Sequence, residues 1–327
     1  MKEFYRNKKV LITGNTGFKG SWLTQILLNL GAEVTGIALK PEMKPNLYGI
    51  LKQSSKINEN IVDIRDYEQV LDIFNEVKPE IVFHLAAQPI VLDSYKNPRY
   101  TYDVNVMGTV NICECVRISD TVKSFVNVTT DKVYQNNEWE FPYRETDRLD
   151  GFDPYSNSKS CSELVTATYI RSFLEEKKMA VSTCRAGNVI GGGDFSPFRI
   201  LPDCYRDTVS GKGISVRNPY SIRPYQHVLE AVTFYLLVAK KQWENNTFAG
   251  SYNVGPEFTD CLKTSEVCTY FCDYWGENAN WSVIGSNGPH EANILRLDTS
   301  KAKSKLGWRP VWDVKRAIEE TEYTYID

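Results

Sequence analysis

Short, continuously apolar segments alternate with helical segments through the first half of this 327-residue chain. The apolar segments are residues 10–12, 34–38, 61–62, 81–85, 124–128 and 181–184. Helical spacing is found in residues 21–30, 66–77, 100–118 and from 154 to about 176. Strands that are apolar on both faces must be covered on both faces, as in a parallel sheet with helices on either side. The alternation therefore predicts an α/β fold built on a doubly wound parallel sheet.

Three glycines, Gly14, Gly17 and Gly20, follow the first apolar segment and open the first helix. At such a position, backbone N–H groups at the helix N-terminus can hold the pyrophosphate of a dinucleotide. The alternative is a plain glycine-rich turn. The strand before the glycines and the helix after them favour the dinucleotide interpretation.

The pattern changes after about residue 187, where glycines 191–193 and several prolines separate short, mixed elements. A helix at 230–241 and a strand at 252–254 are expected to return to the main sheet. We therefore predict a dinucleotide-binding domain at residues 1–186, to which 226–255 return. A smaller, interleaved substrate lobe is predicted at residues 187–225 and 256–327.

Composition excludes several classes of function. Lysine plus arginine (38) nearly balances aspartate plus glutamate (41), so no basic surface for nucleic acid is expected. No apolar stretch approaches the ~20 residues of a membrane span, and the charged residues 2–9 are unlike a signal peptide. We expect a cytoplasmic protein. The eight cysteines are scattered and the three histidines lie far apart in sequence, which predicts reduced thiols and no metal site.

Tyr155 and Lys159 are one helical turn apart, so their side chains point to the same side of a helix. Tyrosine has a pKa of about 10, and lowering it by about 3 units requires roughly 4 kcal/mol of electrostatic help. A nearby lysine ammonium and a positive nicotinamide ring could supply that help. Thr130 could donate a hydrogen bond to the same substrate oxygen. The alternative is an ordinary surface pair on a helix.

Several motifs together resemble the extended branch of the short-chain dehydrogenase/reductase superfamily. These are the G-x-x-G-x-x-G spacing, Asp63–Ile64, residues 84–88, Asn105, the Y-x-x-x-K pair and a closing segment at 298–310. The resemblance implies a Rossmann-type sheet, bound NAD and the cofactor-binding residues Gly14, Thr16, Gly17, Phe18, Lys19, Gly20, Asp63, Ile64, Leu85, Ala86, Ala87, Gln88, Asn105, Thr129, Tyr155, Lys159 and Ala186.

The residues after the second strand bear on whether the dinucleotide is NAD or NADP. The acidic residue that usually selects NAD at the end of the second strand is missing, and Leu39 and Lys40 stand there instead. A lysine at this position could favour the 2′-phosphate of NADP or be a solvated loop charge. We expect NAD.

Asp131 and Lys132 directly follow Thr130, and this arrangement is similar to that of nucleotide-sugar 4,6-dehydratases. Such an enzyme oxidises C4, eliminates water across C5 and C6 and returns the hydride to C6. An acid and a base are therefore needed near C5 and C6. The commonest dehydratases have Asp-Glu at this place. The Asp-Lys variant, with the residues that follow it, resembles the CDP-glucose 4,6-dehydratase family.

That resemblance implies catalytic roles for five residues. Tyr155 takes the proton of the 4-OH, Lys159 tunes Tyr155 and holds the ribose, and Thr130 orients the oxygen. Asp131 protonates the departing 6-OH. Lys132 either removes the C5 proton, which requires a depressed pKa, or remains charged and stabilises the enolate. Both possibilities for Lys132 stay open.

The substrate implied is CDP-glucose or a related nucleotide sugar, and the implied substrate-binding residues are Gln88, Asn188, Arg199, Arg217, Arg223 and His290. Arg223 is expected to pair with the diphosphate, although a surface salt bridge is the alternative. The chain departs from the family pattern at Leu92, Asn15 and Tyr225. Another nucleotide hexose, an epimerase of the same superfamily and a non-catalytic dinucleotide-binding protein therefore remain alternatives. A homodimer or higher homo-oligomer, formed through helices 100–118 and 154–176, is a family expectation.

Overall fold

The computed structural model describes residues 1–276, 279–285 and 292–326. The strands are β1 (Lys9–Thr13), β2 (Glu33–Ala38), β3 (Asn58–Ile61), β4 (Ile81–His84), β5 (Ser124–Thr130), β6 (Ala180–Ala186), β7 (Asn188–Ile190), β8 (Ile214–Val216), β9 (Ile222–Arg223), β10 (Tyr225–His227), β11 (Gly250–Val254), β12 (Leu262–Lys263) and β13 (Trp281–Val283). Seven of them form one parallel sheet in the order β11-β6-β5-β4-β1-β2-β3.

The α-helices are α1 (Lys2–Tyr5), α2 (Phe18–Asn29), α3 (Leu47–Ile50), α4 (Tyr67–Val77), α5 (Val91–Lys96), α6 (Pro98–Tyr102), α7 (Gly108–Ile118), α8 (Pro154–Tyr169), α9 (Ile200–Val209), α10 (Val228–Glu244), α11 (Thr264–Trp275) and α12 (Val314–Ile326). Single 3₁₀ turns lie at Gln53–Ser55, Asp131–Val133, Asn246–Phe248 and Phe258–Asp260. Segments of π-helix lie at Asp103–Met107, Ile170–Leu174 and Ala302–Leu306.

Both faces of the sheet are buried, as the apolar strands predict. Val10 and Ile12 point to a core shared with α2 and α10, whereas Leu11 points to a second core shared with α4 and α7. All three side chains are fully buried. Alternate residues of one strand thus enter two different cores, which is possible only in a sheet covered on both sides. The predicted doubly wound parallel sheet is confirmed.

Several element boundaries differ from the sequence prediction. Strand β3 ends at Ile61 rather than beginning there, because it is an edge strand whose polar residues lie in solvent and carry no apolar signal. Helix α2 begins three residues before the predicted Ser21, since Gly17 adopts the extended conformation of an N-cap. The helix predicted at 100–118 is α6 and α7 joined by the π-helical segment Asp103–Met107.

The second half of the chain divides between the main sheet and a smaller lobe. Strand β11 pairs with β6, and α10 packs in the core beneath the sheet. The lobe contains the small pairs β9–β12 and β8–β13, with α9, α11 and α12 around a core of its own, and the pair β7–β10 contacts both α12 of the lobe and α10. Leu85 just after β4, Thr130 of β5 and Ala186 of β6 line one cavity together with residues of the lobe, so the lobe forms one side of the space where these strands end.

The eight cysteines are free thiols, and no cluster of three or more potential metal ligands lies within the described ranges. None of the helices in the described part of the chain is both long and apolar enough to cross a membrane.

Candidate active site

Two adjoining cavities lie at the carboxyl edge of the sheet. The larger, of about 990 Å³, lies between the sheet, α8 and the small lobe and is partly open to solvent. The smaller, of about 480 Å³, is a groove along the glycine loop, which we define as residues 14–20. The sequence-predicted residues that line the groove are Gly14, Thr16, Gly17, Phe18, Lys19, Gly20, Asp63, Ile64, Leu85, Ala86, Ala87, Gln88 and Arg199. Those that line the larger cavity are Lys19, Leu85, Ala87, Thr129, Thr130, Lys132, Tyr155, Lys159, Ala186, Asn188, Arg199, Arg217 and Arg223.

Thr130, Asp131, Lys132, Tyr155 and Lys159 lie together at the end of β5, and we call them the reaction corner. Strand β5 ends at Thr130, whose hydroxyl caps the 3₁₀ turn Asp131–Val133 by accepting a hydrogen bond from the Lys132 N–H (3.4 Å). The same hydroxyl donates to Asp131 Oδ1 (2.9 Å). The turn thus fixes the hydroxyl and the carboxyl in one unit.

The Asp131 carboxyl is fully buried and does not form part of the wall of the larger cavity. Its Oδ1 accepts from Thr130 and lies 3.4 Å from Lys132 Nζ, whereas its Oδ2 is buried with no partner among the described residues. A buried carboxyl oxygen without a partner is costly. Lys132, in contrast, lines the cavity and remains partly exposed. Asp131 can therefore reach a ligand only after its side chain rotates.

Tyr155 and Lys159 lie in the first two turns of α8. Asp153 caps this helix by accepting from the Ser156 N–H (2.9 Å), and Pro154 occupies its first position. Lys159 Nζ donates to the carbonyl oxygen of Val128 (3.1 Å), and burial lowers the pKa of this lysine to about 8. Burial raises the pKa of Tyr155 to about 12, while Thr130 and Arg199 act to lower it. In the protein alone the phenol therefore stays protonated at neutral pH.

A serine on α8 holds the two catalytic segments against each other. Ser160 Oγ donates to the carbonyl oxygen of Val133 (2.8 Å) and accepts from the Gly151 N–H (3.0 Å). Gly151 lies so close that a Cβ there would be 2.7 Å from the Lys132 carbonyl oxygen. Sequence reasoning did not identify Ser160 or Gly151. Nothing in the sequence separates Ser160 from the other serines of α8.

A buried ion pair lies one helical turn beyond Lys159. Glu163 forms a two-pronged pair with Arg185 of β6, with both N–O distances 2.9 Å. Glu163 also accepts from Thr129 Oγ1 (2.5 Å) and Thr183 Oγ1 (2.7 Å). Its negative charge opposes the fall in the pKa of Lys159. The Thr129 side chain, predicted to contact the cofactor, is thus directed to Glu163.

The glycine loop is suited to a dinucleotide because its glycines carry no side chains that would cover the backbone N–H groups. Gly14 has φ +77°, and a Cβ there would lie 2.7 Å from the Ala86 nitrogen. Gly17 precedes α2 without a side-chain cap, so the first N–H groups of the helix remain available for a phosphate. The loop is thus a cradle of backbone donors at the positive end of a helix dipole.

Two of the predicted ligand contacts are held by the protein itself. The Asn105 side chain accepts from the Gln88 N–H (2.8 Å), donates to the Gln88 carbonyl (3.1 Å) and to Ser158 Oγ (2.9 Å). Asn105 lines neither cavity and instead ties the segment after β4 to α8. The Gln88 amide bonds to Ile90 and Thr101, and Gln88 lines the groove but not the larger cavity.

The predicted substrate-binding arginines have different surroundings. Arg199 lines both cavities and pairs with the buried Asp194 (2.8 Å). The Arg223 guanidinium donates to the carbonyl oxygens of Ile222 (2.9 Å), Asn293 (3.3 Å) and Ala292. Arg223 therefore secures the wall of the larger cavity as well as lining it. His290 lies outside the described residues.

Comparison with known proteins places this geometry among the nucleotide-sugar enzymes. The family model described as GDP-mannose 4,6 dehydratase matches residues 11–321. The CDP-glucose 4,6-dehydratase of Salmonella typhimurium is 44% identical over 323 residues, which cover 97% of this chain and 90% of that protein.

Solved structures show the same fold at lower identity. The UDP-glucose 4-epimerase of Thermus thermophilus, in complex with NAD, superposes with a TM-score of 0.85 at 24% identity, covering 97% of this chain and 98% of that one. The dTDP-glucose 4,6-dehydratase of Bacillus anthracis, in complex with NAD, gives a TM-score of 0.82 at 20% identity, covering 98% and 96%. The fold alone therefore does not separate epimerases from dehydratases.

Proposed function

The chain belongs to the GDP-mannose 4,6-dehydratase family, and from this premise we propose that it is an NAD-dependent CDP-glucose 4,6-dehydratase. The reaction removes one water from the hexose and yields the 4-keto-6-deoxy nucleotide sugar. The 44% identical relative supports CDP-glucose as the substrate. Because the hydride taken from C4 returns to C6, the reaction consumes no dinucleotide.

NAD would be held in the groove by the glycine loop, and when bound it supplies the acceptor and donor of that hydride. The absence of room at Gly14 and the open N-terminus of α2 support a bound pyrophosphate. Neither Leu39 nor Lys40, at the rim of the groove, offers the carboxylate that usually binds the 2′-hydroxyl of NAD. The choice of NAD over NADP therefore rests on the relatives crystallised with NAD.

Tyr155 would accept the proton of the 4-OH in the first step. Its pKa, raised to about 12 by burial, must fall before it can act as a base near neutral pH. A protonated Lys159 and the positive nicotinamide ring would lower it, in addition to Thr130 and Arg199. The buried Glu163 keeps Lys159 in its charged form for longer as pH rises, and so supports this step indirectly.

Asp131 and Lys132 would carry out the elimination. The C4 ketone acidifies the C5 hydrogen, which leaves as a proton, while the C6–O bond breaks and the departing oxygen takes a proton from Asp131. A proton would return to C5 when the hydride returns to C6, which gives the 4-keto-6-deoxy product. The Asp131 side chain would first have to rotate into the larger cavity, because its carboxyl is fully buried and does not line that cavity. Lys132 lines the cavity, so its amine either accepts the C5 proton or stabilises the enolate.

One observation carries the choice of dehydratase over epimerase. The carboxyl of Asp131 and the amine of Lys132 are held beside Thr130 in the same corner as Tyr155 and Lys159. An epimerase uses the tyrosine and the lysine of α8 but has no step for a second acid and amine. Burying a carboxyl with an unpartnered oxygen costs stability, and this cost supports a functional role for Asp131.

The test is to incubate the protein, with NAD added, in separate reactions with CDP-glucose, GDP-mannose, UDP-glucose and dTDP-glucose, and to analyse the products by mass spectrometry and by NMR, which distinguishes epimers of equal mass. CDP-glucose is expected to lose the mass of one water, and the Tyr155→Phe variant should leave it unchanged. Water loss from a different nucleotide hexose would overturn the substrate but not the reaction. A C4 epimer without water loss from any of the four would overturn the dehydratase assignment.

We also propose a homodimer formed through the helices of residues 98–118 and 154–174. Large apolar side chains on these two neighbouring helical stretches are exposed, including Met107 (49%), Leu164 (53%) and Phe173 (44%). Such side chains are typical of a protein interface. Light scattering should give twice the chain mass for the wild type and a smaller mass for Leu164→Glu. An unchanged mass in the variant would place the interface elsewhere.

A cytoplasmic location and the domain division are the remaining parts of the proposal. Eight free thiols suit a reducing compartment, which cell fractionation would test. Residues 1–186 with 226–255 would form the dinucleotide unit, and 187–225 with 256–327 the nucleotide-sugar lobe. Hydrogen exchange should then show that NAD alone protects the first unit more than the second.

A further inference from the structure

Lys19 stands between the two cavities. It is the second residue of α2, and its side chain lines both the groove of the glycine loop and the larger cavity beside the reaction corner. No hydrogen bond or ion pair joins its amine to any residue in the described ranges. The backbone of the glycine loop suits the cofactor, but this side chain extends beyond it toward the site of the sugar nucleotide.

The surroundings of Lys19 are strongly positive. Arg199, Lys159 and Lys132 all repel its positive charge, as does the N-terminus of α2 on which it lies. Asp194 is engaged in its ion pair with Arg199, whereas Asp131, whose Oδ1 bonds to Thr130, attracts the charge of Lys19. Burial, reinforced by these cations, lowers the pKa of Lys19 to about 7. The attraction by Asp131 offsets only part of this effect, and no carboxylate among the described residues forms an ion pair with the Lys19 amine.

Both expected ligands carry a diphosphate, and Lys19 lines both of the cavities in which they would bind. Two diphosphates bound in adjoining cavities repel each other, and a cation between them reduces that repulsion. We propose that Lys19 binds phosphate groups of both NAD and the nucleotide sugar and thereby couples the binding of the two ligands. This inference rests on the proposed function, since it requires both ligands in one protein.

Coupling of this kind is reciprocal, so NAD and the nucleotide sugar each raise the affinity for the other by the same factor. Binding of a diphosphate at Lys19 should also change the number of protons that the protein binds. At pH 8 most of the free protein carries a neutral Lys19, and a bound diphosphate raises its pKa, so binding takes up a proton. Affinity for the diphosphates therefore falls as pH rises above about 7. Lys159, with its pKa near 8, also contributes to proton uptake, whereas His84, with its pKa lowered to about 3 by burial, remains neutral.

The test uses calorimetry on the full chain freed of bound dinucleotide. CDP-glucose is titrated into the protein alone and into its complex with NADH, which cannot accept the hydride, so no turnover occurs. Repeating the titrations in buffers of different ionisation enthalpy gives the protons taken up. The variants are Lys19→Met, which removes the charge, and Lys19→Arg, which retains a charge that does not titrate.

We expect Lys19→Met to lower the affinities for NADH and for CDP-glucose by roughly tenfold or more each. It should also remove the favourable coupling between the two binding events. Lys19→Arg should restore affinity and coupling while taking up fewer protons than the wild type at pH 8. The difference belongs to Lys19, because Lys159 is present in both proteins. Thermal melting of the variants without ligand checks that each is folded.

Three results would each overturn the inference. Lys19→Met could lower the affinity for only one ligand, or leave the coupling unchanged. Lys19→Arg could take up as many protons as the wild type. In those cases the wild type would still bind and dehydrate CDP-glucose, and the proposed function would stand. A wild type that neither binds nor dehydrates CDP-glucose would overturn the proposed function, and this inference with it.

Discussion

The glycine loop and the reaction corner lie at the same edge of one sheet, at the carboxyl ends of β1 and β5, with β4 between them. The loop binds through backbone N–H groups and depends on the absence of side chains, since a Cβ on Gly14 would meet Ala86. The corner acts through side chains, each positioned by the backbone of another element, as when Lys159 bonds to the Val128 carbonyl. Adding a side-chain atom to the loop should therefore impair cofactor binding, whereas removing a side-chain group from the corner should impair catalysis.

The largest expected effect is in the corner, on Tyr155→Phe. The variant lacks the group that exchanges a proton with the 4-OH, so kcat should fall by about 10⁴-fold, the upper part of the range for a general base. The affinity for NAD should change little, because the glycine loop is untouched. The exposed Tyr220→Phe is the matched control. If Tyr155→Phe retained most of its kcat, the proposed division, in which the corner performs catalysis and the loop binds the cofactor, would be wrong.

A loss of about 10³-fold in product formation is expected for Asp131→Asn, which retains the acceptor for Thr130 but cannot donate the proton for the 6-OH. Oxidation at C4 should still proceed, so reduced nicotinamide should accumulate on the protein and be visible by its absorbance. Loss of both oxidation and elimination together would assign Asp131 to the first step. Lys132→Ala, assayed in the same way, would show whether its amine serves elimination alone.

In the loop, Gly14→Ala should weaken NAD binding by about 10- to 100-fold, because the new methyl group meets the Ala86 nitrogen and the φ of +77° disfavours alanine. The control is Gly211→Ala, where φ is +68° and nothing lies within 4 Å, so the backbone strain is matched without a clash. Equal NAD affinity in the two variants would indicate that strain, rather than the closeness of the loop, determines binding.

The smallest effect is expected for Ser160→Ala, which removes the hydrogen bonds to Val133 and Gly151. A net loss of about 1 kcal/mol of hydrogen-bond free energy corresponds to a roughly fivefold lower rate. We expect this loss in the elimination step more than in the oxidation step, since Ser160 holds the turn of Asp131 and Lys132. Thr168→Ala removes a hydroxyl bonded to its own helix, farther along α8, and should leave both steps unchanged. Equal loss in both steps would reduce Ser160 to a general stabilising role.

The sequence predicted the central sheet because each apolar strand carries its own signal of burial on both faces. It missed the extent of β3, where an edge position makes polar residues acceptable, and placed the start of α2 late, where glycines obscure the helical pattern. It brought the residues of the reaction corner into one hypothesis through motifs of short spacing. It could not find Ser160, Gly151 or Glu163, because their partners lie on other elements.

Local chemistry is what the sequence by itself determined. The G-x-x-G-x-x-G loop, Thr130–Asp131–Lys132 and the pair Tyr155–Lys159 are written in neighbouring residues, and they specify a dinucleotide, a redox step and an elimination. The tertiary structure alone decided the electrostatics, because the pKa of a group depends on its burial and on charges brought from distant segments. It made Tyr155 a weaker acid, left Asp131 Oδ2 without a partner, and placed Lys19 among Arg199, Lys159 and Lys132.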